Sequence, residues 1–260
     1  MTFRPIGIFD SGLGGLTVLA ALRTRLPRED FIYFADTRFL PYGNRSEAFI
    51  QNRSRKIART LAAKGVKAIV IACNTATAAA AETVREAVTQ PVIALEPAVK
   101  PAVALTRTGV IGVLATSRTL SSNRFQRLVQ NHASGKLVIS QPCPGLADAI
   151  EIEGPESVRV ESLLDAYVPP LATAGADVVV LGCTHYPWVL AGIAARLPGN
   201  AVIVDTGEAV ARQVERRLQG ERLPGGYGQL RIATSGNPRQ VHETIARLWG
   251  VSLHVESWRL

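Results

Sequence analysis

A regular alternation of short apolar runs with helical stretches, sustained from residue 5 to residue 248, constrains this chain more than any other feature. The apolar runs are PIGIFD (5–10), DFIYFAD (30–36), KAIVIAC (67–73), PVIAL (91–95), VIGVLAT (110–116), KLVIS (136–140), ADVVVLGC (176–183), AVIVD (201–205) and LRIAT (230–234). Patterns of helical period fill most intervals, at 15–26, 46–64, 76–88, 119–131, 156–173, 188–197, 207–219 and 238–248. Strands that alternate with helices of ten or more residues form βαβ units and a parallel sheet. The near-continuous Val, Ile and Ala content agrees, because helices cover a parallel strand on both faces. The expected class is α/β with doubly wound parallel sheets.

A faint internal repeat refines that expectation. PIGIFDSG (5–12) lies over VIGVLATS (110–117) at an offset of 105, and AIVIACNTA (68–76) over VVVLGCTHY (178–186) at an offset of 110. Two matches at nearly one offset imply two similar α/β halves, and 260 residues suit two units of about 100–150 each. The second match puts Cys73 on Cys183, each where an apolar strand ends.

Composition narrows the function classes. With 47% hydrophobic and 19% charged residues the chain has ample core and no signature of disorder. No apolar run approaches the roughly 18 residues of a membrane helix. The opening MTFRPIGIFDSGLGG reaches its glycines too early for a signal peptide, so a cytoplasmic location without membrane contact is expected. Three cysteines, Cys73, Cys143 and Cys183, form neither a disulfide framework nor a zinc motif, and no metal is expected. The net charge of +8 invites a nucleic-acid reading, but basic density appears only at NRSRKIAR (52–59), whose helical spacing reads as a solvated helix face.

In open parallel sheets, ligands bind beyond the carboxyl ends of the strands. Asp10 and Ser11, Cys73 and Asn74, Thr116 and Ser117, and Cys183 and Thr184 all occupy such ends. Two thiols approaching one cleft from opposite sides suit the removal of a proton from one face of a carbon and its return to the other. Cys73 precedes an alanine-rich helix with Asn74 and Thr75 as N-cap candidates, and Cys183 precedes a helix opened by Pro187. The positive end of a helix dipole favours thiolate. His185 is placed to pair with Cys183 or with a substrate carboxylate. Cys143 lacks such a setting and reads as structural. Two alternatives stay open on these residues: Cys183 with His185 fits a cysteine hydrolase, which would leave Cys73 unused, and DSGLGG (10–15) with Asp36 suggests a dinucleotide loop, although Thr17 stands where its third glycine belongs.

DSGLGGLTVL (10–19), ADTRFLPYGNRS (35–46), IACNTATA (71–78) and LGCTHYPWV (181–189) together resemble the signature segments of bacterial glutamate racemase, of the cofactor-independent aspartate/glutamate racemase superfamily. The resemblance runs on through EPAVKPA (96–102), CPGLADAIE (143–151) and DTGEAVARQV (205–214). It implies two α/β domains related by a pseudo-twofold, with the active site in the cleft between them. The second domain, residues 98–206, is inserted into a first formed by 1–97 and 207–260. It implies interconversion of L- and D-glutamate, supplying D-glutamate for peptidoglycan, without pyridoxal phosphate. The five lysines agree, since none ends a strand.

Carried across by position, Cys73 takes the α-proton of D-glutamate and Cys183 that of L-glutamate. Asp10 and His185 are the auxiliary acid–base residues, with Glu151 a further auxiliary near His185. Asp10, Ser11, Tyr42, Gly43, Asn74, Thr75, Thr184 and His185 match the substrate-binding pairs. A small-molecule substrate is the only partner implied, apart from a second copy, since members are commonly dimers. The chain departs from the family at Phe39–Leu40 before Pro41, where smaller residues are usual. The rival functions are aspartate racemase, a nucleic-acid-binding protein suggested by the charge of +8 and the Arg-rich helices, and a Cys-His amidohydrolase.

Overall fold

The computed structural model describes residues 4–218 and 227–260, so Gln219, the last residue of the expected helix 207–219, lies outside the described residues. The chain divides into two compact units, residues 1–95 with 207–260 and residues 96–206. In chain order the first unit begins with β1 (Ile6–Asp10), α1 (Leu16–Arg25), β2 (Phe31–Ala35), α2 (Glu47–Ala63), β3 (Ala68–Ile71), α3 (Asn74–Ala87) and β4 (Val92–Ala94). The second unit comprises α4 (Val99–Leu105), β5 (Val110–Ala115), α5 (Ser117–Ser121), α6 (Asn123–His132), β6 (Leu137–Pro142), α7 (Leu146–Ile152), α8 (Val158–Tyr167), α9 (Pro169–Thr173), β7 (Val178–Gly182), α10 (Leu190–Ala195) and β8 (Val202–Val204). The chain then returns to the first unit with α11 (Gly207–Arg217), β9 (Leu230–Thr234), α12 (Pro238–Trp249) and β10 (Val255–Ser257).

Each unit holds one sheet, in the order β10-β9-β2-β1-β3-β4 in the first and β6-β5-β7-β8 in the second. Every strand pair is parallel. The internal repeat is a repeat of register. Ile6 pairs with Ala68 and Phe9 with Ile71, and at the equivalent positions Ile111 pairs with Val178 and Leu114 with Leu181. Both sheets thus contain the motif β2-β1-β3-β4, repeated as β6-β5-β7-β8. Each sheet has its own core. Phe9, Phe34, Ile57, Leu61, Ile69 and Ile71 pack in the first unit, and Val99, Ile111, Val113, Phe125, Val178 and Val180 in the second.

Several boundaries differ from expectation for identifiable reasons. The helical pattern at 119–131 is broken at Ser122, whose Oγ accepts from Phe125 N at 3.1 Å and starts a new helix. The pattern at 156–173 breaks at Pro169, which cannot supply the next intrahelical hydrogen bond. Three short elements, α4, α7 and β10, have no counterpart in the apolar pattern, because each is seven residues or fewer and carries too little periodicity to register. The basic stretch 52–59 is not wholly a solvated face: Arg55, Lys56 and Arg59 are exposed, whereas Arg53 points inward and is 8% exposed.

Gly182 ends β7 beside β5. A Cβ there would lie 2.8 Å from Ala115 Cβ and 3.0 Å from the Leu114 carbonyl oxygen, neither of which can swing aside. Gly182→Ala is therefore expected to destabilise the 96–206 unit by about 1–3 kcal/mol, the usual cost of overpacking. A lowered urea midpoint at unchanged m-value checks it, and an unchanged midpoint would mean that β5 yields.

Candidate active site

In the first unit, parallel pairing of β1 with β3 brings the segments after both strands side by side. Asp10, the last residue of β1, is fully buried, and its carboxylate accepts from Gly15 N and, at 3.1 Å, from Ser11 Oγ. Gly15 is required at that point, since a Cβ would meet Asp10 Oδ2 and Ala72 Cβ, each at 2.9 Å. Ser11 Oγ lies 3.6 Å from Cys73 Sγ. A buried carboxylate is thus joined to a thiol through one hydroxyl.

Cys73 itself caps α3. Its φ of −138° and ψ of 120° are non-helical, and its Sγ accepts from Ala76 N at 3.4 Å. The expected caps Asn74 and Thr75 are instead the first two helical residues. The shift by one position matters chemically, because a thiolate in the N-cap position receives an N–H donor as well as the positive end of a 14-residue helix. The Asn74 side chain, 3% exposed, has neither its oxygen nor its nitrogen partnered among the described residues. A buried amide in that state is costly unless something completes its hydrogen bonds. Thr75 is also buried, and Gly43 half-buried.

Tyr42 is placed differently from a free substrate-binding side chain. Its hydroxyl donates to Asp36 Oδ2 at 2.5 Å, and the same carboxylate receives Arg53 Nε at 3.0 Å and Nη2 at 2.6 Å. Burial, with the Asp36 charge next, drives the Tyr42 hydroxyl far above its ordinary pKa. With the hydroxyl proton so committed, donors for a ligand come from the main chain at Tyr42–Gly43. Asp36, committed to Arg53 and Tyr42, is not available for a ribose, which removes the dinucleotide reading. Sequence reasoning misses the Asp36–Arg53 pair because its members stand on different elements, with no local pattern linking them.

In the second unit the equivalent strand end carries Cys183, 8% exposed, immediately after β7. Its Sγ lies 3.7 Å from His185 Nδ1, and His185 Nε2 lies 2.6 Å from Glu151 Oε2. Glu151 and His185 are 5% and 3% exposed. Glu151 comes from α7, a helix too short to show in the apolar pattern, yet it sits near His185, as the resemblance implies. Burial pushes the His185 pKa down, but bonding to Cys183 and Glu151 more than offsets this and holds it well above the ordinary histidine value. Asp148, one turn before Glu151, has its carboxyl raised by burial against the lowering effect of His185. Thr184 is also buried.

The dipole expected at Cys183 is not the same as at Cys73. The chain beyond Cys183 forms a 3-10 turn, Tyr186–Val189 with Pro187 in its first positions, and then only six α-helical residues. A short, weakly aligned helix contributes little field, so His185 is the neighbour that sets the environment of this thiol. Cys143, also buried, donates to the Gln141 carbonyl at 3.4 Å, and burial pushes its thiol up to about 12. It is a neutral packing residue. Among the described residues no group of three or more His, Cys, Asp or Glu could hold a metal ion, and no helix is long and apolar enough to cross a membrane.

Each unit therefore carries a thiol at the end of an equivalent strand, connected through one polar group to a buried carboxylate: Cys73–Ser11–Asp10 and Cys183–His185–Glu151. Such a chain can pass a proton between thiol and carboxylate. Comparison with known proteins places the chain among racemases. A glutamate racemase of Pseudomonas putida is 46% identical over 259 residues, covering 98% of either chain. The structure of a glutamate racemase isoform from Bacillus anthracis superposes with a TM-score of 0.90 at 30% identity, over 99% of this chain and 98% of that one. A glutamate racemase from Francisella tularensis, solved in complex with D-glutamate, superposes with a TM-score of 0.86 at 31% identity, over 98% and 97%. Residues 17–214 match the sequence model of the Asp/Glu/Hydantoin racemases, and this chain belongs to that family.

Proposed function

We propose that the chain is a glutamate racemase that interconverts L- and D-glutamate with two thiol bases and no cofactor. The observation that carries the reading is the duplicated arrangement: two buried thiols at equivalent strand ends, each linked to a carboxylate. A hydrolase needs one such thiol, whereas inversion at carbon needs a base and an acid on opposite faces. Cys73 takes the α-proton of D-glutamate and Cys183 that of L-glutamate, each returning a proton in the reverse direction. Asp10 and His185 serve as the auxiliary acid–base groups behind the thiols, and Glu151 keeps His185 oriented and charged.

The α-proton of an amino acid is far less acidic than a thiol, so bases alone, worth about 10²–10⁴-fold, do not suffice. The developing carbanion-enolate needs donors aimed at the α-carboxylate and a position fixed before reaction. Ser11, Asn74, Thr75 and Thr184, with the main chain at Tyr42–Gly43, supply neutral donors and acceptors for the two carboxylates and the ammonium. Asn74, buried with its amide unpartnered among the described residues, is suited to complete its hydrogen bonds on the substrate. The product role is D-glutamate for peptidoglycan, in a cytoplasmic enzyme acting as a homodimer, with a small-molecule substrate and neither nucleic acid nor membrane as partner. The first unit brings Cys73, and the second brings Cys183.

One local feature favours a second reading. Cys183–His185–Glu151 has the order of a cysteine hydrolase triad. That reading demands release of ammonia or acid and tolerance of Cys73→Ala.

Incubation of the protein with L-glutamate in D₂O, without added cofactor, separates these possibilities. Loss of optical activity with deuterium entering the α-carbon is expected, falling at least ~10²-fold in Cys73→Ala and again in Cys183→Ala. Faster turnover of aspartate than glutamate would reassign the substrate, and hydrolysis surviving Cys73→Ala would establish the triad reading.

His185 gives a pH prediction. Its pKa is raised on folding, so its contribution to stability is fully present below about 6.5, the unfolded value, and is lost as pH rises through the folded value. Glu151→Gln removes one of the raising interactions. The variant should show the His185 ring titrating at lower pH by NMR, with the basic limb of kcat/KM moved the same way. An unmoved titration would mean that Glu151 does not hold the proton on His185.

A further inference from the structure

The clamp around Asp36 has no part in the proton transfers, yet its carboxylate is among the most fully satisfied buried charges of the described residues. Asp36 is fully buried just past the end of β2, and Arg53 reaches it from the middle of α2 with a bidentate grip at 2.6 and 3.0 Å. Both anchor the segment 37–45, which carries Tyr42 and Gly43. The Tyr42 hydroxyl donates to the same carboxylate at 2.5 Å. The guanidinium carbon of Arg53 lies 4.3 Å from the centroid of the Phe39 ring, so Phe39 roofs the pair. Phe39 in turn meets Phe49 edge-on at 5.4 Å, and Arg45 Nε donates to the Phe39 carbonyl at 3.3 Å. At the start of the segment, Thr37 Oγ1 is bonded to Thr234 Oγ1 at 2.7 Å.

Stability alone does not account for such a device. Buried ion pairs carry a large desolvation cost and are often no better than apolar residues of the same volume, whereas in some proteins they specify one geometry. In this chain the geometry specified is the path of the main chain at Tyr42–Gly43. The bulky Phe39, where the family usually has a smaller residue, gains a purpose as the apolar face that keeps water from the guanidinium.

We propose that Arg53, held between Asp36 and the Phe39 ring, is a positioning residue that sets the Tyr42–Gly43 main chain at the spacing required by the substrate carboxylate. The inference rests on the racemase reading, through the role given there to Tyr42 and Gly43. It assigns to a basic helix residue, outside every sequence motif of the site, a share in substrate recognition. Lysine cannot replace it, because an ammonium offers a point charge without the planar fork that grips both oxygens.

The test compares steady-state racemisation by the unaltered chain, Arg53→Lys and Phe39→Leu, with hydrogen exchange of the 37–45 amides followed in parallel. Arg53→Lys is expected to raise KM for glutamate about tenfold with kcat changed less than about threefold, the mark of a lost contact made equally in the ground and transition states. Its 37–45 amides should exchange faster while those of β1 and β3 do not. Phe39→Leu, which leaves the ion pair whole, should raise KM roughly two- to fivefold, the worth of a cation–π contact. It decides the matter if Arg53→Lys does not fold. A variant that melts earlier but keeps the unaltered KM and exchange pattern would make the clamp structural only and overturn the proposal. Absence of turnover in the unaltered chain would instead overturn the racemase reading, a result distinct from the first.

Discussion

Parallel pairing of β1 with β3, repeated by β5 with β7, governs where both thiols stand. Because the two strands of each pair run the same way in the same register, their carboxyl ends finish side by side. In the first unit that puts Ser11 against Cys73. In the second it leaves Cys183 at the equivalent place with β5 beside it. Parallel strands also force their polar chain ends into the loops at one edge, where helices begin and main-chain N–H groups are unpaired. Reactive groups therefore collect there without any local sequence signal beyond the strand ending.

The two half-sites solve one electrostatic problem differently. A buried carboxylate is tolerated only with partners that replace its lost hydration. Asp10 takes a main-chain N–H from Gly15 and a hydroxyl from Ser11, both neutral donors. Glu151 takes His185, whose proton it helps to retain. The Cys73 side is consequently a neutral relay at a strong helix N-terminus, and the Cys183 side a charged relay beside a weak one. Two units with a repeated strand order thus set their thiols in chemically unequal surroundings. Asp36 shows a third solution, full charge pairing with Arg53, and its role is geometric rather than catalytic.

The legibility of these features in the sequence divides along a physical line. The strand–helix alternation, the repeat and both thiols are readable because each depends on contiguous residues: apolar runs, period, and a polar residue directly after a strand. The splits at Ser122 and Pro169 are readable in principle from capping and the missing proline N–H, but the surrounding periodicity masks them. Arg53 reads as solvated because a charged residue in a basic run has no sign of its own that its partner lies seventeen positions upstream. The N-cap at Cys73 reads one residue too late because cysteine is not among the usual capping types.

Fold class, the two-part architecture and the identity of the paired thiols are already set in one dimension, since burial periodicity and turn chemistry act over a few neighbouring residues. Which carboxylate stands behind which thiol is set by packing alone. The same holds for the commitment of the Tyr42 hydroxyl to Asp36 and for the charge retained on His185. Those outcomes depend on distances between side chains from different elements, and on the loss of solvent around them, and neither quantity exists until the sheets and helices have packed.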